Sequence, residues 1–274
     1  MRTHFFAAAF CGLTLSGCSI FSSKPALPRQ AAIERGGEPN GGTDYAALVA
    51  NAEIVYFPAE RAASGARSEP SAMLLEALRK NGAPFAIGWD FFDAGQQPSL
   101  DELRGKKGGA REAIIARLEF EGTGRAREHC RAVLRDERLA GLHHLALRCP
   151  PALLAKIDSR SRLTPEEEKE FARGYVLPPG GSEAYAERLV AGPPGSGRSY
   201  RAQMAAQQFA AERIVRHFRA AGMESKLLVF LHGEDLEAGL GVPRYVAQKM
   251  NVRQLVLDWR GTAPVRPQLL TSRD

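Results

Sequence analysis

Residues 226–250, KLLVFLHGEDLEAGLGVPRYVAQKM, decide the fold of this chain. They open with the apolar run Leu227–Leu231, which is too short for a separate helix and typical of a strand covered on both faces. A polar, glycine-rich segment follows it, and Pro243 stands where a helix tolerates proline, in the first turn. The stretch therefore predicts a strand, a loop and a helix, which is the unit of a parallel sheet.

Similar units recur along the rest of the chain. Four further runs are predicted as strands: 52–57, 84–89, 143–148 and 254–258. Helical patterns separate them, and the longest, over 199–221, ends at Gly222. Capping-box patterns predict helix starts at Ser99 and Thr164. Strands that alternate with helices predict an α/β fold, with a mostly parallel sheet of about five strands and helices on both faces.

The amino-terminal segment has the pattern of a processing signal. Arg2 supplies a positive charge, and the apolar segment 5–15 is too short to span a bilayer as a mature helix. Leu15-Ser-Gly-Cys18 resembles the lipobox of bacterial lipoproteins, in which the cysteine becomes the acylated amino terminus. We therefore predict a lipoprotein signal peptide over 1–17 and acylation of Cys18. An ordinary secretory signal with an incidental cysteine is the alternative.

The remaining boundaries follow from composition. Residues 18–43 carry the acylated cysteine and are rich in Ser, Pro and Gly, so they are predicted to form a flexible tether. A single α/β domain is predicted over 44–258. Residues 259–274 contain two prolines and no periodicity, which predicts a frayed carboxyl-terminal tail. By the usual sorting pattern, Ser19 after the cysteine predicts a lipid-anchored protein of the bacterial cell envelope, at the outer membrane and facing the periplasm.

The net charge limits the kinds of partner that we expect for this protein. Lys and Arg number 37 and Asp and Glu 31, for a formal net charge of +6, which falls to +5 when Arg2 is removed with the signal. The excess forms no basic run, so we expect no nucleic-acid partner.

Cys130 and Cys149 have two interpretations. They pair in an oxidising periplasm, or Cys149 is a small core residue at a strand end.

Polar side chains follow three of the predicted strands and indicate a site. In open α/β sheets, ligands bind in the crevice at the carboxyl ends of the strands. Glu60, Asp90 and His232 are predicted to lie there, together with Glu234 and Asp235. The aromatic residues predicted to form an apolar wall beside them are Trp89, Phe91 and Phe92. Plain βα connections with solvated acids are the alternative interpretation.

Four segments resemble, in order and spacing, the blocks of one family. Trp89-Asp-Phe-Phe-Asp93 with Gln97-Pro-Ser-Leu-Asp101 looks like its E-M-F-D…Q-P-x-L-D block. The other three segments are 147–150 with 163–167, the helix that begins near Ala202-Gln203, and the loop 233–243. The family is that of the ChaN-type haem-binding lipoproteins, in a superfamily with Tiki-type proteases and erythromycin esterases. The resemblance covers roughly residues 44–258.

The resemblance also implies what is missing. Ala62 and Leu236 stand where the family has two histidines, while Glu60 remains and Asp90 keeps an acid on a shorter arm. A metal-dependent hydrolase of the superfamily would use both histidines, so we expect no catalytic metal. Haem iron is held by His or Tyr, and the resemblance therefore implies haem as ligand. The candidate axial ligands are His232, Tyr185 and Tyr200, whereas His143 and His144 fall at the wrong end of the sheet.

Three hypotheses follow, in order of preference. The first is a lipid-anchored protein that binds haem or a related porphyrin and presents it to an outer-membrane uptake receptor, with a homodimer left open. The second is a scaffold or binding lipoprotein of the same fold that has lost its ligand and metal chemistry. The third, and the one that makes the chain an enzyme, is a hydrolase rebuilt around Glu60, Asp90, His232 and Asp235.

Overall fold

The computed structural model describes residues 45–58, 70–120, 124–171, 200–222, 225–232, 236, 241–257 and 267–270, with backbone alone at 70, 125, 200 and 267–270. The strands in this part of the chain are β1 Ile54–Pro58, β2 Phe85–Asp93, β3 His143–Arg148, β4 Lys226–Leu231, β5 Gln254–Leu257 and β6 Pro267–Leu270. The helices are α1 Tyr45–Asn51, α2 Pro70–Asn81, α3 Gln97–Glu102, α4 Gly108–Arg117, α5 Gly124–Arg135, α6 Pro151–Asp158, α7 Pro165–Lys169, α8 Tyr200–Ala221 and α9 Val242–Lys249.

The strands form one sheet in the order β3-β2-β4-β1-β5-β6. The first five are parallel, so the predicted α/β fold with a mostly parallel sheet is confirmed. Strand β6 pairs antiparallel with β5 where the sequence predicted a frayed tail. Pro267 fits this edge position, because an edge strand does not need every N–H for pairing.

Both faces of the sheet are covered, as the apolar strand runs predicted. Successive side chains of a strand point to opposite faces. Val55 and Phe57 belong to the apolar layer packed against α1, α2, α4 and α5. Ile54 and Tyr56 belong to the layer packed against α8 and α9. The chain moves from β1 to β3 in one direction along the sheet and from β3 to β5 in the other, and right-handed crossovers then place the two sets of helices on opposite faces.

Two consecutive glutamines perform a structural task that the sequence did not reveal. The side-chain amide of Gln97 donates to the carbonyl of His144 at 2.8 Å and accepts from the N–H of Ala146 at 2.9 Å, so it pairs with the free edge of β3. Arg213 donates to the carbonyl of Ala146 at the same edge. Gln96 binds both backbone groups of Glu119 in the same way. Paired edges resist further strand addition.

Local signals were borne out in part. Thr164 accepts from the N–H of Glu167 at 3.2 Å, and Glu167 accepts from the N–H of Thr164, so this predicted capping box is confirmed. The box predicted at Ser99 is wrong, because α3 begins two residues earlier at Gln97 with Pro98 in its first turn. Across the described ranges, every helix is too short or too polar to span a bilayer.

Candidate ligand site

The sheet offers one natural crevice among its described strands. The strands β2 and β4 are neighbours, and their outgoing connections diverge, towards β3 and towards β5. Side chains at the carboxyl ends of two such strands line a crevice between the connections. Asp90 lies near the end of β2 and His232 directly follows β4, so the fold brings these two predicted site residues to the same edge.

The pair is close and partly accessible. Nε2 of His232 lies 3.8 Å from Oδ2 of Asp90. The His232 side chain is 36% exposed and that of Asp90 15%. The His232 ring meets the ring of Phe91 edge-on, at 6.0 Å between centroids. A half-exposed imidazole that is held between a carboxylate and an aromatic ring can bind a metal or accept a proton.

A bulge in β2 creates this arrangement. The pairing with β3 runs in register to Trp89 opposite Ala146 and resumes at Asp93 opposite Arg148, so β2 has two extra residues in the interval. Bulges re-aim side chains next to functional sites. In place of strict alternation, the consecutive rings of Phe91 and Phe92 both enter the layer under α2, α4 and α5.

The predicted apolar wall is therefore wrong. Trp89, Phe91 and Phe92 are each at most 1% exposed. The indole of Trp89 stacks on Phe230 at 4.7 Å between ring centroids, and its N–H donates to Nδ1 of His144 at 3.1 Å. Phe92 packs against Phe120 instead of facing the crevice. Because these rings fill the core, a ligand at the edge would need other apolar contacts.

The other predicted residues divide into two groups. Tyr200 is the first residue of α8, and only its backbone is described. Glu60, Tyr185 and the lipidation site Cys18 lie outside the described residues, as do Ala62, Glu234 and Asp235. The two histidines set aside at the start of β3 do lie at the amino edge of the sheet, since His143 pairs with Ala86 at the start of β2.

The sequence missed part of the positive charge at this edge. Arg148 ends β3, Arg201 lies in the first turn of α8, and Arg244 lies in the first turn of α9. All three are half-buried. Arg148 could have been found because it is the last residue of a predicted strand and therefore lies at its carboxyl end. Arginines suit carboxylates, which they bind in a bidentate way.

The comparison with known families decides the identity. A family described as haem-binding uptake, Tiki superfamily, ChaN matches residues 45–246 of this chain. The chain belongs to the ChaN family. The resemblance inferred from the four blocks is thereby confirmed, and haem, the ligand it implied, is the one by which the ChaN family is described.

One solved structure has a similar fold. ChaN of Campylobacter jejuni, known from a structure of cofacial haem binding, shares 12% identity over 80% of this chain and 86% of its own, with a TM-score of 0.53. A chain described under bacterial protein toxins aligns over 82% of this chain and 38% of its own, at 12% identity and a TM-score of 0.39, which is too low to support an argument. No curated protein sequence matches this chain.

The position at which the resemblance implied a family histidine holds a buried leucine. Leu236 is 3% exposed and joins the apolar layer formed by α8 and α9, with Leu231 and Val242 among its members. A buried leucine contributes packing and supplies no ligand atom. Within the described ranges, no group of three or more His, Cys, Asp or Glu side chains is arranged to hold a metal ion.

The two cysteines that lie in the described part of this ChaN chain have separate surroundings. Cys130 on α5 and Cys149 after β3 are both free thiols in the structure. They belong to different apolar clusters and are each at most 1% exposed. Burial raises the pKa of the Cys130 thiol well above its ordinary value. Of the two interpretations left open, the structure shows the one in which Cys149 is a small core residue.

Proposed function

We propose that this ChaN chain binds haem at the carboxyl edge of β2 and β4, with His232 as an axial ligand. The observation that carries the proposal is the approach of His232 to Asp90, which presents a half-exposed imidazole at the edge where α/β sheets bind ligands. Family membership supplies the ligand class.

The donor chemistry fits haem. Haem brings an iron that accepts an imidazole or a phenolate as axial ligand. A carboxylate that accepts from one ring nitrogen of a metal-binding imidazole commonly fixes its orientation. Asp90 faces Nε2 of His232 at 3.8 Å, and a closer approach would leave Nδ1 for the iron. Tyr200 and Tyr185 remain the alternative donors. Tyr56 is unsuited to the role because it is fully buried, and burial raises the pKa of its hydroxyl well above the ordinary value.

The charge balance also supports a propionate-bearing ligand. The Asp90 carboxylate would repel haem propionates if it were the nearest charge. Arg148, Arg201 and Arg244 lie at the same edge and would neutralise both propionates. The apolar contact to the porphyrin face has to come from side chains other than Trp89, Phe91 and Phe92, which are in the core.

A titration tests the proposal directly. The purified chain should bind haemin saturably, with a shifted and sharpened absorbance band, and should bind metal-free protoporphyrin IX more weakly, because the axial bond needs iron. The mass of the complex would show whether haem binding is accompanied by a homodimer. If haemin shows no saturable binding, the haem assignment fails, and the scaffold hypothesis takes its place.

We further propose that Cys18 is acylated and that the protein is held at the outer membrane, where it would pass haem to or from an uptake receptor. The support is Leu15-Ser-Gly-Cys18 and the serine that follows it. Several acyl chains hold a protein stably at a membrane, whereas a single chain holds it weakly.

Cys18→Ala should therefore move the protein from the membrane fraction to the soluble fraction. Cell fractionation and immunoblotting measure this, and Cys11→Ala, which changes another cysteine of the same segment, is the matched control. A Cys18→Ala variant that stays with the membrane would show that the protein is held there by other means.

A further inference from the structure

Two fully buried polar residues lie outside the proposed site and form a chain of hydrogen bonds. Tyr56 in β1 and Gln254 at the start of β5 are both 0% exposed. The Tyr56 hydroxyl donates to Oε1 of Gln254 at 2.6 Å. Nε2 of Gln254 donates to the carbonyl oxygen of Pro243 at 3.1 Å. The two hydrogen bonds therefore join β1, β5 and the first turn of α9.

These hydrogen bonds fix the position of α9 on the sheet as well as contributing stability. The residues around it, such as Ile54, Val246 and Val256, are apolar, and apolar contacts tolerate sliding because they have no direction. Hydrogen bonds demand short distances and nearly straight angles. A buried amide that lost one partner would bear the full cost of desolvation. One placement of α9 on the sheet is thereby favoured over its neighbours.

The placement matters at the carboxyl edge. Arg244 is the residue after Pro243, and its N–H donates to the carbonyl of Gly241 at 3.1 Å, so it moves with this turn. Tyr245 donates its hydroxyl to the sulfur of Met204 at 3.4 Å, which keeps the beginnings of α8 and α9 together. The start of α9 therefore carries Arg244 to the edge where β4 ends at His232.

We propose that Tyr56 and Gln254 are positioning residues of the haem site, which fix the first turn of α9 so that Arg244 binds a haem propionate. Neither residue touches the ligand. The inference rests on the proposed function and adds to it the group that recognises the acidic edge of haem. An arginine in a fixed position binds a carboxylate with less loss of side-chain freedom than one on a shifting turn.

The test compares two ligands in three variants of the full chain. Gln254→Leu and Tyr56→Phe each break the chain of hydrogen bonds, and Arg244→Ala removes the cation itself. We expect each to weaken haemin binding about tenfold, because each weakens a charge-assisted hydrogen bond between an arginine and a carboxylate. Haemin dimethyl ester, which lacks the propionate charge, should bind all three as it binds the wild type. The absorbance band should stay unchanged, because His232 remains.

The control is Gln97→Leu, which breaks the hydrogen bonds of another glutamine side chain, at the edge of β3, but leaves Gln254 bonded, and it should bind haemin like the wild type. Urea unfolding checks that each variant is folded. If Gln254→Leu does not fold, Tyr56→Phe still tests the inference. Equal weakening for both ligands would mean a general loss of structure, and unchanged haemin binding would mean no role; either result overturns the inference. If the wild type binds neither ligand, the proposed function has failed, and this inference fails with it.

Discussion

Replacing His232 by alanine should weaken haemin binding by about 100-fold and remove the shifted absorbance band. Among the described side chains at the β2–β4 edge, the His232 imidazole is the one suited to bind iron. Asp90 lies 3.8 Å from it. Absorbance titration with haemin measures both effects at once. Asp90→Asn should weaken binding less, because it alters the orientation of the ligand and not its identity.

His143→Ala is a closely matched control for this prediction. The His143 side chain is 37% exposed and lies 3.1 Å from the carboxylate of Asp101, so it is another accessible histidine beside an acid. It lies at the amino edge of the sheet, and its loss should leave haemin binding intact. If His232→Ala keeps the wild-type band, the axial ligand is another residue, and Tyr185→Phe and Tyr200→Phe decide between the two remaining donors.

Lowering the pH from 7 to 5 should reduce the free energy of unfolding by about 2 kcal/mol through His144 alone. His144 is 1% exposed, and burial, with a smaller effect of Arg111 and His143, lowers its pKa from 6.5 to about 3. The Trp89 N–H donates to Nδ1 of His144, so a second proton there would meet a donor instead of an acceptor.

The sign follows from proton binding. Below pH 6.5 the unfolded chain takes up a proton at His144 that the folded chain refuses until about pH 3, so acid favours unfolding throughout that interval. His217 acts in the same direction, because burial, with a smaller effect of His143, lowers its pKa to about 4. The contribution of the neutral His144 and His217 side chains to the free energy of unfolding is therefore fully present above pH 7.

Urea unfolding of the wild type and of His144→Asn at pH 7 and pH 5 measures this contribution. Asparagine keeps an acceptor for the Trp89 N–H and does not titrate, so the variant should lose about 2 kcal/mol less on acidification than the wild type. Between pH 7 and pH 8 both proteins should be unaffected by pH. An identical drop in wild type and variant would show that His144 is protonated in the folded state or accessible to water.

Much of the architecture was predictable from short stretches of sequence. The apolar runs located β1 to β5 because strands covered on both faces have no polar side to show. Gly222 ends α8 with φ +84°, a value that glycine adopts without strain, and Thr164 begins α7 with the predicted capping box. The four family blocks pointed to the ChaN family, and the match over residues 45–246 confirms it. The signal peptide and the acylation of Cys18 remain predictions.

The tertiary structure decided which residues meet. Sequence placed Asp90 and His232 on separate loops, whereas their approach depends on β4 lying beside β2, a choice of strand order that no local pattern encodes. The sequence predicted that three aromatic residues line the site, Trp89, Phe91 and Phe92. They are buried in the core instead, and the bulge in β2 turns two successive rings, those of Phe91 and Phe92, inward. Gln97 and Gln254 read as ordinary polar residues, and their roles depend on carbonyl groups far away in the sequence. Local propensity therefore determined the elements of this protein, and long-range packing and hydrogen bonding determined its site, because those interactions depend on which strands become neighbours.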